Sequence, residues 1–178
     1  MKKTILYLCL LCLTIVTSCN NDDDQPQDPI SQLPPATQTG ERTFGALLDG
    51  EPFIPRGGIN PLDCVYQSVN GEYYFGLQGN KRNDNNNLIL IGLGTNNLEI
   101  DENITYALAG NVPANAFGTY ALGGTFSETN TINAGQLSIT HLDLNAYTVS
   151  GTFWFDIIDQ NGNLRQIREG RFDMPFTN

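Results

Sequence analysis

Three carboxylates on the last two β-rich runs are the side chains best placed for acid–base chemistry. They are Asp156, Glu169 and Asp173. Two carboxylates about 5–10 Å apart can hydrolyse a glycosidic bond, one as the acid and the other as a base or nucleophile. The same runs carry three guanidinium groups, on Arg165, Arg168 and Arg171. Because the charges are of mixed sign, a solvated surface is the simpler interpretation. A carboxylate-based, glycan-active enzyme is the alternative.

The other catalytic and metal-binding signals are single residues or incomplete motifs. The only histidine, His141, continues the apolar face of Leu137 and Ile139, which predicts a strand end or a polar edge. Residues 159–163 begin like a calcium-binding loop, but Leu164 stands where that loop needs glycine. The chain has no nucleophile elbow, phosphate-binding loop or zinc-binding His-Glu-x-x-His motif. The sequence therefore predicts no catalytic residue, no metal and no cofactor.

The N-terminus carries a short apolar run that ends in a cysteine. Two lysines followed by apolar residues 5–16 are typical of a signal peptide, and the run is too short to span a bilayer as a helix. Its end, Thr17-Ser18-Cys19, resembles a bacterial lipobox. The resemblance implies that residues 1–18 are removed and that the Cys19 thiol is acylated, so that two or three acyl chains hold the protein at the membrane. The alternative is an ordinary signal peptide followed by an unrelated cysteine.

The cysteine count leaves one thiol after this processing. Two of the four cysteines leave with the signal peptide and Cys19 takes the lipid, so that only Cys64 remains. An intramolecular disulfide is then excluded. We expect Cys64 to be a small buried residue, with a reactive or intermolecular thiol as the alternative.

Residues 19–41 are predicted to be a flexible tether, because they are rich in Asp, Pro and Gln and poor in bulky apolar side chains. The tether contains three consecutive acids, Asp22, Asp23 and Asp24. Lipoproteins of the Bacteroidota type often carry acids just after the cysteine, where they direct export to the cell surface. The resemblance makes these residues a candidate export signal. A solvated linker is the alternative.

Charge and length restrict the partners of residues 42–178, which are predicted to be a single domain. The formal net charge is −10, and removal of the two N-terminal lysines leaves 7 basic against 19 acidic residues, or −12. An acidic surface disfavours nucleic acid. A glycan, a peptide or an envelope protein remains as the ligand or partner.

Short β-rich runs separated by Gly and Asn follow one another to the end of the chain, without helical periodicity. The predicted strands are 43–48, 52–55, 63–69, 72–78, 88–93, 104–108, 118–122, 125–128, 136–142, 147–158 and 164–176. We expect some of the runs within 104–122 to be loop. The spacing predicts an all-β domain, an antiparallel β-sandwich or barrel of about 8–11 strands, with a lipocalin-like closed barrel as the alternative.

The last two runs predict a specific hairpin. A three-residue loop centred on Asn161 sets Phe155 opposite Ile167. Ile167 and Phe172 have opposite parity, so a β-bulge at Gly170 is needed to bury both. The pairing then continues as Gly151–Phe172, Val149–Met174 and Tyr147–Phe176.

Trp154 lies on the face of this hairpin that is otherwise polar, beside Thr152 and Asp156. An indole in that position is either exposed for stacking on a ligand, or buried under a loop or the tether. Trp154 is the one candidate ligand-binding residue that the sequence offers.

The two ends of the domain carry recognisable motifs. In RTFGALLDGEPFIP, Asp49-Gly50 predicts a tight hairpin, and Pro52 and Pro55 place its second arm at a sheet edge. Together with IREGRFDMPF at the end of the chain, this motif resembles a family of uncharacterised Bacteroidota lipoproteins. The resemblance implies location and fold only. Relatives often carry cysteine where this chain has Ala46, which implies that Cys64 has lost a partner.

These observations lead to one functional hypothesis and two alternatives. The chain is expected to be a cell-envelope lipoprotein of the outer membrane, carrying a non-catalytic binding or structural module and facing either the cell surface or the periplasm. The alternatives are a lipocalin-like carrier of a small ligand and the carboxylate-based enzyme.

Overall fold

The structure is a computed structural model that describes residues 27–58, 60–133 and 135–178. Within these residues, one 3-10 turn, Pro29–Gln32, precedes eleven strands. The strands are β1 (Thr43–Leu48), β2 (Glu51–Phe53), β3 (Leu62–Val69), β4 (Glu72–Arg82), β5 (Leu88–Asn96), β6 (Thr105–Leu108), β7 (Asn115–Leu122), β8 (Thr125–Glu128), β9 (Gly135–Asp143), β10 (Thr148–Ile158) and β11 (Leu164–Pro175). The predicted all-β fold is confirmed. Within the described residues, no helix has the length and apolarity needed to cross a bilayer.

All eleven strands belong to one sheet. Its order is β2-β1-β11-β10-β9-β6-β7-β5-β4-β3. The short strand β8 lies outside this order and pairs with β7 on the same edge as β6. Neighbouring strands are antiparallel except β6 and β7, which are parallel and joined through the pair Leu108–Ala116. The sheet is therefore mixed. One antiparallel half runs from β2 to β6, the other runs from β7 to β3, and the two halves meet at the parallel pair β6 and β7.

The two ends of the sheet approach each other without closing. At one end, β3 contacts the chain just after β11 through a single bridge between Val65 and Thr177. At the other end, the carbonyl oxygen of Pro52 in β2 accepts a hydrogen bond from Lys81 Nζ at 2.9 Å. Because β2 and β3 do not pair with each other, the alternative of a closed lipocalin-like barrel is wrong. The fold is a sandwich-like open barrel.

Aromatic rings fill the space between the opposing walls. The ring of Phe153 in β10 lies 5.3 Å from Phe44 and 6.4 Å from Phe172. Phe172 in turn lies 6.3 Å from Phe75, which comes from β4 in the other half of the sheet. The inner faces of the two halves thus share one packed core, which disfavours the hypothesis of a carrier with an internal ligand cavity.

Cys64 belongs to this core, as expected. Its side chain is 4% exposed and forms no disulfide. Burial, aided by the neighbouring Asp63 carboxylate, raises the pKa of the thiol to about 12. A thiol that stays protonated is a poor nucleophile, so Cys64 serves as a small apolar residue.

The predicted β10–β11 hairpin is confirmed in its loop and its register. The loop closes through a hydrogen bond from Asp159 N to Asn163 O at 2.9 Å, and Gly162 has a φ of +82°. Tyr147 lies just before β10, where its carbonyl oxygen accepts from the N–H of Phe176 at 2.8 Å. The predicted pairs Phe155–Ile167, Gly151–Phe172 and Val149–Met174 are all present.

The predicted bulge is present in β11. Phe153 pairs with Gly170 and Phe155 pairs with Ile167, so that two residues of β11, Arg168 and Glu169, oppose the single residue Trp154 of β10. The extra residue is absorbed next to Gly170, where Glu169 has a φ of +52°. This left-handed conformation is uncommon for a residue with a side chain. It allows Ile167 and Phe172 both to face the core.

The remaining predictions differ from the structure mainly at strand ends. Asp49 and Gly50 have φ values of +54° and +88°, as a tight hairpin requires, and β2 lies at a sheet edge as predicted. The expectation that some of the runs within 104–122 are loop is wrong, because both runs are strands, β6 and β7. Strand β7 begins at Asn115, earlier than predicted, because its first residues pair with β5.

The close approach at the bulge generates a stability prediction. A Cβ added to Gly170 would lie 2.6 Å from both the ring and the carbonyl oxygen of Phe153, whereas one added to Gly76 in β4 would have no neighbour within 4 Å. We expect Gly170→Ala to lower the free energy of unfolding by about 2–3 kcal/mol. The control Gly76→Ala should change it by less than about 0.5 kcal/mol. Urea denaturation measures both variants, and equal stabilities would contradict the bulge.

Candidate functional site

The outer face of β9, β10 and β11 carries a groove of about 560 Å³. Strand register sets its floor as two rows of side chains. Thr152 lies between Ser138 and Arg171 in one row, and Trp154 lies beside Gln136 in the other. We call this feature the Trp154 groove. Its residues are Gln136, Ser138, Thr152, Trp154, Arg168 and Arg171.

Trp154 is exposed in this groove. The residue is 39% exposed, and its Nε1 donates a hydrogen bond to Gln136 Oε1 at 3.3 Å. The guanidinium carbon of Arg168 lies 5.4 Å from the centre of the indole ring, a cation–π distance. Of the two fates predicted for this residue, the exposed indole is the one present. The ring is held from two sides and still faces solvent.

Arg168 is fixed by the bulge that also shapes the groove. Its Nη1 donates to the carbonyl oxygens of Phe155 and Ile167, at 3.1 and 2.8 Å. Its Nη2 pairs with Asp156 Oδ1 at 2.5 Å. A bulge interrupts the ladder, and the guanidinium supplies donors to carbonyl groups beside the interruption.

The three carboxylates proposed from the sequence have separate partners. Asp156 pairs with Arg168, and Glu169 pairs with Arg171 at 3.4 Å. Asp173 is buried and lies beside Ser150, beyond the groove. The hairpin therefore engages each carboxylate in a different contact.

A segment that the sequence assigns to the flexible tether lies across the sheet. We call residues 33–41 the strap. Leu33 is buried, and Pro34 covers Gly45 so closely that a Cβ there would lie 2.5 Å from the proline ring. Gln38 Nε2 donates to the carbonyl oxygen of Thr140 in β9 at 3.0 Å. Ala36 forms one wall of the Trp154 groove. This part of the predicted tether is thus part of the domain surface, because its few apolar side chains and its backbone find partners on the sheet.

Asp173 attaches the strap to the sheet. Its side chain is fully buried, and five donors surround the carboxylate. Oδ1 accepts from Gly40 N at 2.8 Å and Ser150 Oγ at 2.7 Å, and Oδ2 accepts from Thr37 Oγ1 at 2.7 Å, Thr39 N at 3.0 Å and Glu41 N at 3.2 Å. Burial alone would raise the pKa of Asp173, but these hydrogen bonds hold it well below its ordinary value.

The other candidate sites contain ordinary local contacts. His141 lies near the end of β9, as predicted, with Nδ1 2.8 Å from Glu102 Oε1. In the loop that begins like a calcium site, Asp159 Oδ1 accepts from the N–H groups of Asn161 and Asn163. Within the described residues, no group of three or more His, Cys, Asp and Glu side chains is arranged to hold a metal.

Two parts of the site could not be found from the sequence. Gln136 is a groove residue because β9 pairs with β10 in a register that includes a bulge, and the strap is recognisable only from its contacts. For the floor of the groove, by contrast, the sequence did contain a signal. Small polar side chains, including Ser150 and Thr152, precede Trp154 on the same face of β10. The proposed lipid site Cys19, the acids Asp22, Asp23 and Asp24, and the signal peptide 1–18 lie outside the described residues.

Comparison of the chain with protein-family models, curated proteins and solved structures finds no match. The resemblance to uncharacterised Bacteroidota lipoproteins therefore stays a prediction. The function has to be argued from the Trp154 groove and from the sequence.

The buried Asp173 carboxylate generates a prediction of pH-dependent stability. Because the pKa of Asp173 in the folded protein is depressed below its ordinary 3.8, its stabilising contribution is complete above about pH 5. It begins to fall as the pH drops below 3.8 and is lost as the pH falls through the lower folded-state pKa. We expect Asp173→Asn to lower the free energy of unfolding at pH 7 by about 3 kcal/mol, since several donors lose a charged acceptor. The gap to the wild type should narrow between pH 5 and pH 3.

Urea denaturation at several pH values measures this effect. Asp84→Asn, in the exposed loop between β4 and β5, is the matched control and should leave the stability within about 0.5 kcal/mol at every pH. A gap for Asp173→Asn that stays constant down to pH 3 would contradict the role given to the charge.

Proposed function

We propose that this protein is a lipid-anchored, non-catalytic binding module of the cell envelope, and that the Trp154 groove is its ligand-binding surface. The observation that carries the proposal is the single tryptophan, Trp154, which is 39% exposed and lies on the floor of a groove of about 560 Å³. That volume lies in the range of ligand sites. Exposed aromatic side chains with a hydrogen-bonding tip are common anchors in binding sites.

The contacts of the carboxylates support a binding role over a catalytic one. A glycosidase needs one carboxyl group with a raised pKa and a second one free to act as a base or nucleophile. Here Asp156 and Glu169 pair with guanidinium groups, and Asp173 is buried under the strap with a lowered pKa. Carboxylates that are engaged in these contacts are not free to act as an acid or a base, which favours a binding role for the groove.

The anchoring part of the proposal rests on the N-terminal sequence. The motif around Cys19 supports acylation of its thiol and attachment to the outer membrane. The acids Asp22, Asp23 and Asp24 support export to the cell surface. The sequence predicts a tether of residues 19–41, but residues 33–41 form the strap on the domain surface. The segment that links the lipid to the domain is therefore shorter than predicted by the length of the strap.

The chain's single tryptophan provides a direct test of the binding role, because its fluorescence reports on the groove. The protein is purified from membranes and titrated separately with polysaccharide, peptide and protein fractions of the envelope and its surroundings. We expect at least one fraction to shift or quench the emission of Trp154. Thr152→Lys, which fills the groove beside the indole, should abolish the change. Phe126→Ala, at a 62% exposed ring on β8, should not affect it. No response to any fraction would contradict the proposal.

The location is tested on intact cells. Cys19→Ala should move the protein out of the membrane fraction, because the thiol is the proposed acceptor of the lipid. A protease that cannot enter the cell should degrade the wild type. The triple variant with Asp22, Asp23 and Asp24 changed to Ala should be protected. Protection of both proteins would assign the domain to the periplasm and leave the acids as linker.

A further inference from the structure

The floor of the Trp154 groove combines one indole with small hydroxyl side chains. Thr152 and Ser138 are cross-strand neighbours, and Thr105 Oγ1 in β6 lies 2.8 Å from Ser138 Oγ. Beside them, the amide oxygen of Gln136 accepts from Trp154. This bond leaves the Gln136 NH2 group with no hydrogen-bond partner among the described residues. The groove therefore offers an aromatic surface together with neutral donors and acceptors.

The charged side chains at the groove neutralise one another. The guanidinium group of Arg168 pairs with Asp156, and that of Arg171 pairs with Glu169. Each positive charge thus has its own carboxylate at the groove. A ligand therefore needs no charge to complement the groove, and a charged ligand would have to compete with these ion pairs. The chemistry of the groove favours a neutral ligand.

The position of the groove disfavours an extended peptide. Peptides that bind to sheets usually add a strand at an open edge, where backbone N–H and C=O groups are free. The groove lies on the face of β9, β10 and β11, and the backbone of β10 pairs with a strand on each side. The sheet edges β2 and β3 lie elsewhere in the strand order. The groove therefore binds through side chains.

From these observations we infer that the Trp154 groove binds a neutral carbohydrate, an inference that rests on the proposed function. A pyranose ring presents a face of C–H groups and a rim of hydroxyl groups. The C–H face matches the indole, and the hydroxyls match the amide of Gln136 and the side chains of Ser138 and Thr152. The groove is open to solvent and bounded on one side by the strap at Ala36, so it can take a segment of a longer glycan.

The test measures binding to defined polymers with the full-length, lipidated protein. The panel contains neutral polysaccharides (glucan, mannan, galactan and xylan), an acidic polyuronate and a mixture of peptides. Trp154 emission reports binding to the wild type, and affinity gel electrophoresis gives the dissociation constants of the variants. We expect at least one neutral polysaccharide to shift the emission. The binding should vary less than twofold between about 0.05 and 0.5 M salt, since no charge is neutralised.

Matched variants assign the binding to the groove. Trp154→Ala should weaken it at least about tenfold, Trp154→Phe should weaken it less because a ring remains, and Phe126→Ala should leave it unchanged. Gln136→Ala tests the polar rim and should weaken binding about threefold or more. Thermal unfolding confirms that each variant folds, which is expected for exposed side chains.

The outcomes separate this inference from the proposed function. A response to the polyuronate or the peptides alone would overturn the neutral carbohydrate and leave the groove as a binding surface. Binding of a neutral polysaccharide that Trp154→Ala does not weaken would overturn the groove as the carbohydrate site. No change in Trp154 emission with any ligand would overturn both the inference and the proposed function.

Discussion

Burial of both Ile167 and Phe172 is the constraint on which the rest of the structure depends. Their parity along β11 would place one of them in water if the strand were regular, and the bulge at Glu169 and Gly170 removes this conflict. The same irregularity places Arg168 against Trp154 and beside carbonyl groups that need donors. The groove is therefore a consequence of how the core is filled.

The Asp173 carboxylate and the strap depend on each other for their hydrogen-bond partners. A buried carboxylate is costly without partners, and strap backbone N–H groups without acceptors would be costly as well. Gly40, Thr39 and Glu41 supply backbone donors, and the carboxylate accepts all three. Within the described part of the chain, no basic side chain forms an ion pair with Asp173. The strap thereby becomes a wall of the groove instead of a free linker.

Local patterns in the sequence were sufficient for the all-β class, the final hairpin and its bulge. Alternation of apolar side chains determines which face of a strand is buried, and the parity change in β11 requires an extra residue near Gly170 whatever the partner strands are. Asp49-Gly50 determines a tight turn because both positions adopt left-handed conformations. Trp154 was recognisable as a candidate because it interrupts a polar face.

Contacts between distant segments decided the remaining features, and no local pattern encodes them. The strap has the composition of a disordered linker, yet Asp173, more than 130 residues away in sequence, orders its backbone. Gln136 reaches Trp154 only through the β9–β10 register. The open barrel follows from how the two ends of the sheet meet. The sequence by itself determined the strands, their buried faces and the candidate indole, because these depend on neighbours along the chain. The tertiary structure decided the groove, its neutral charge balance and the course of the strap, because hydrogen bonds and ion pairs depend on neighbours in space.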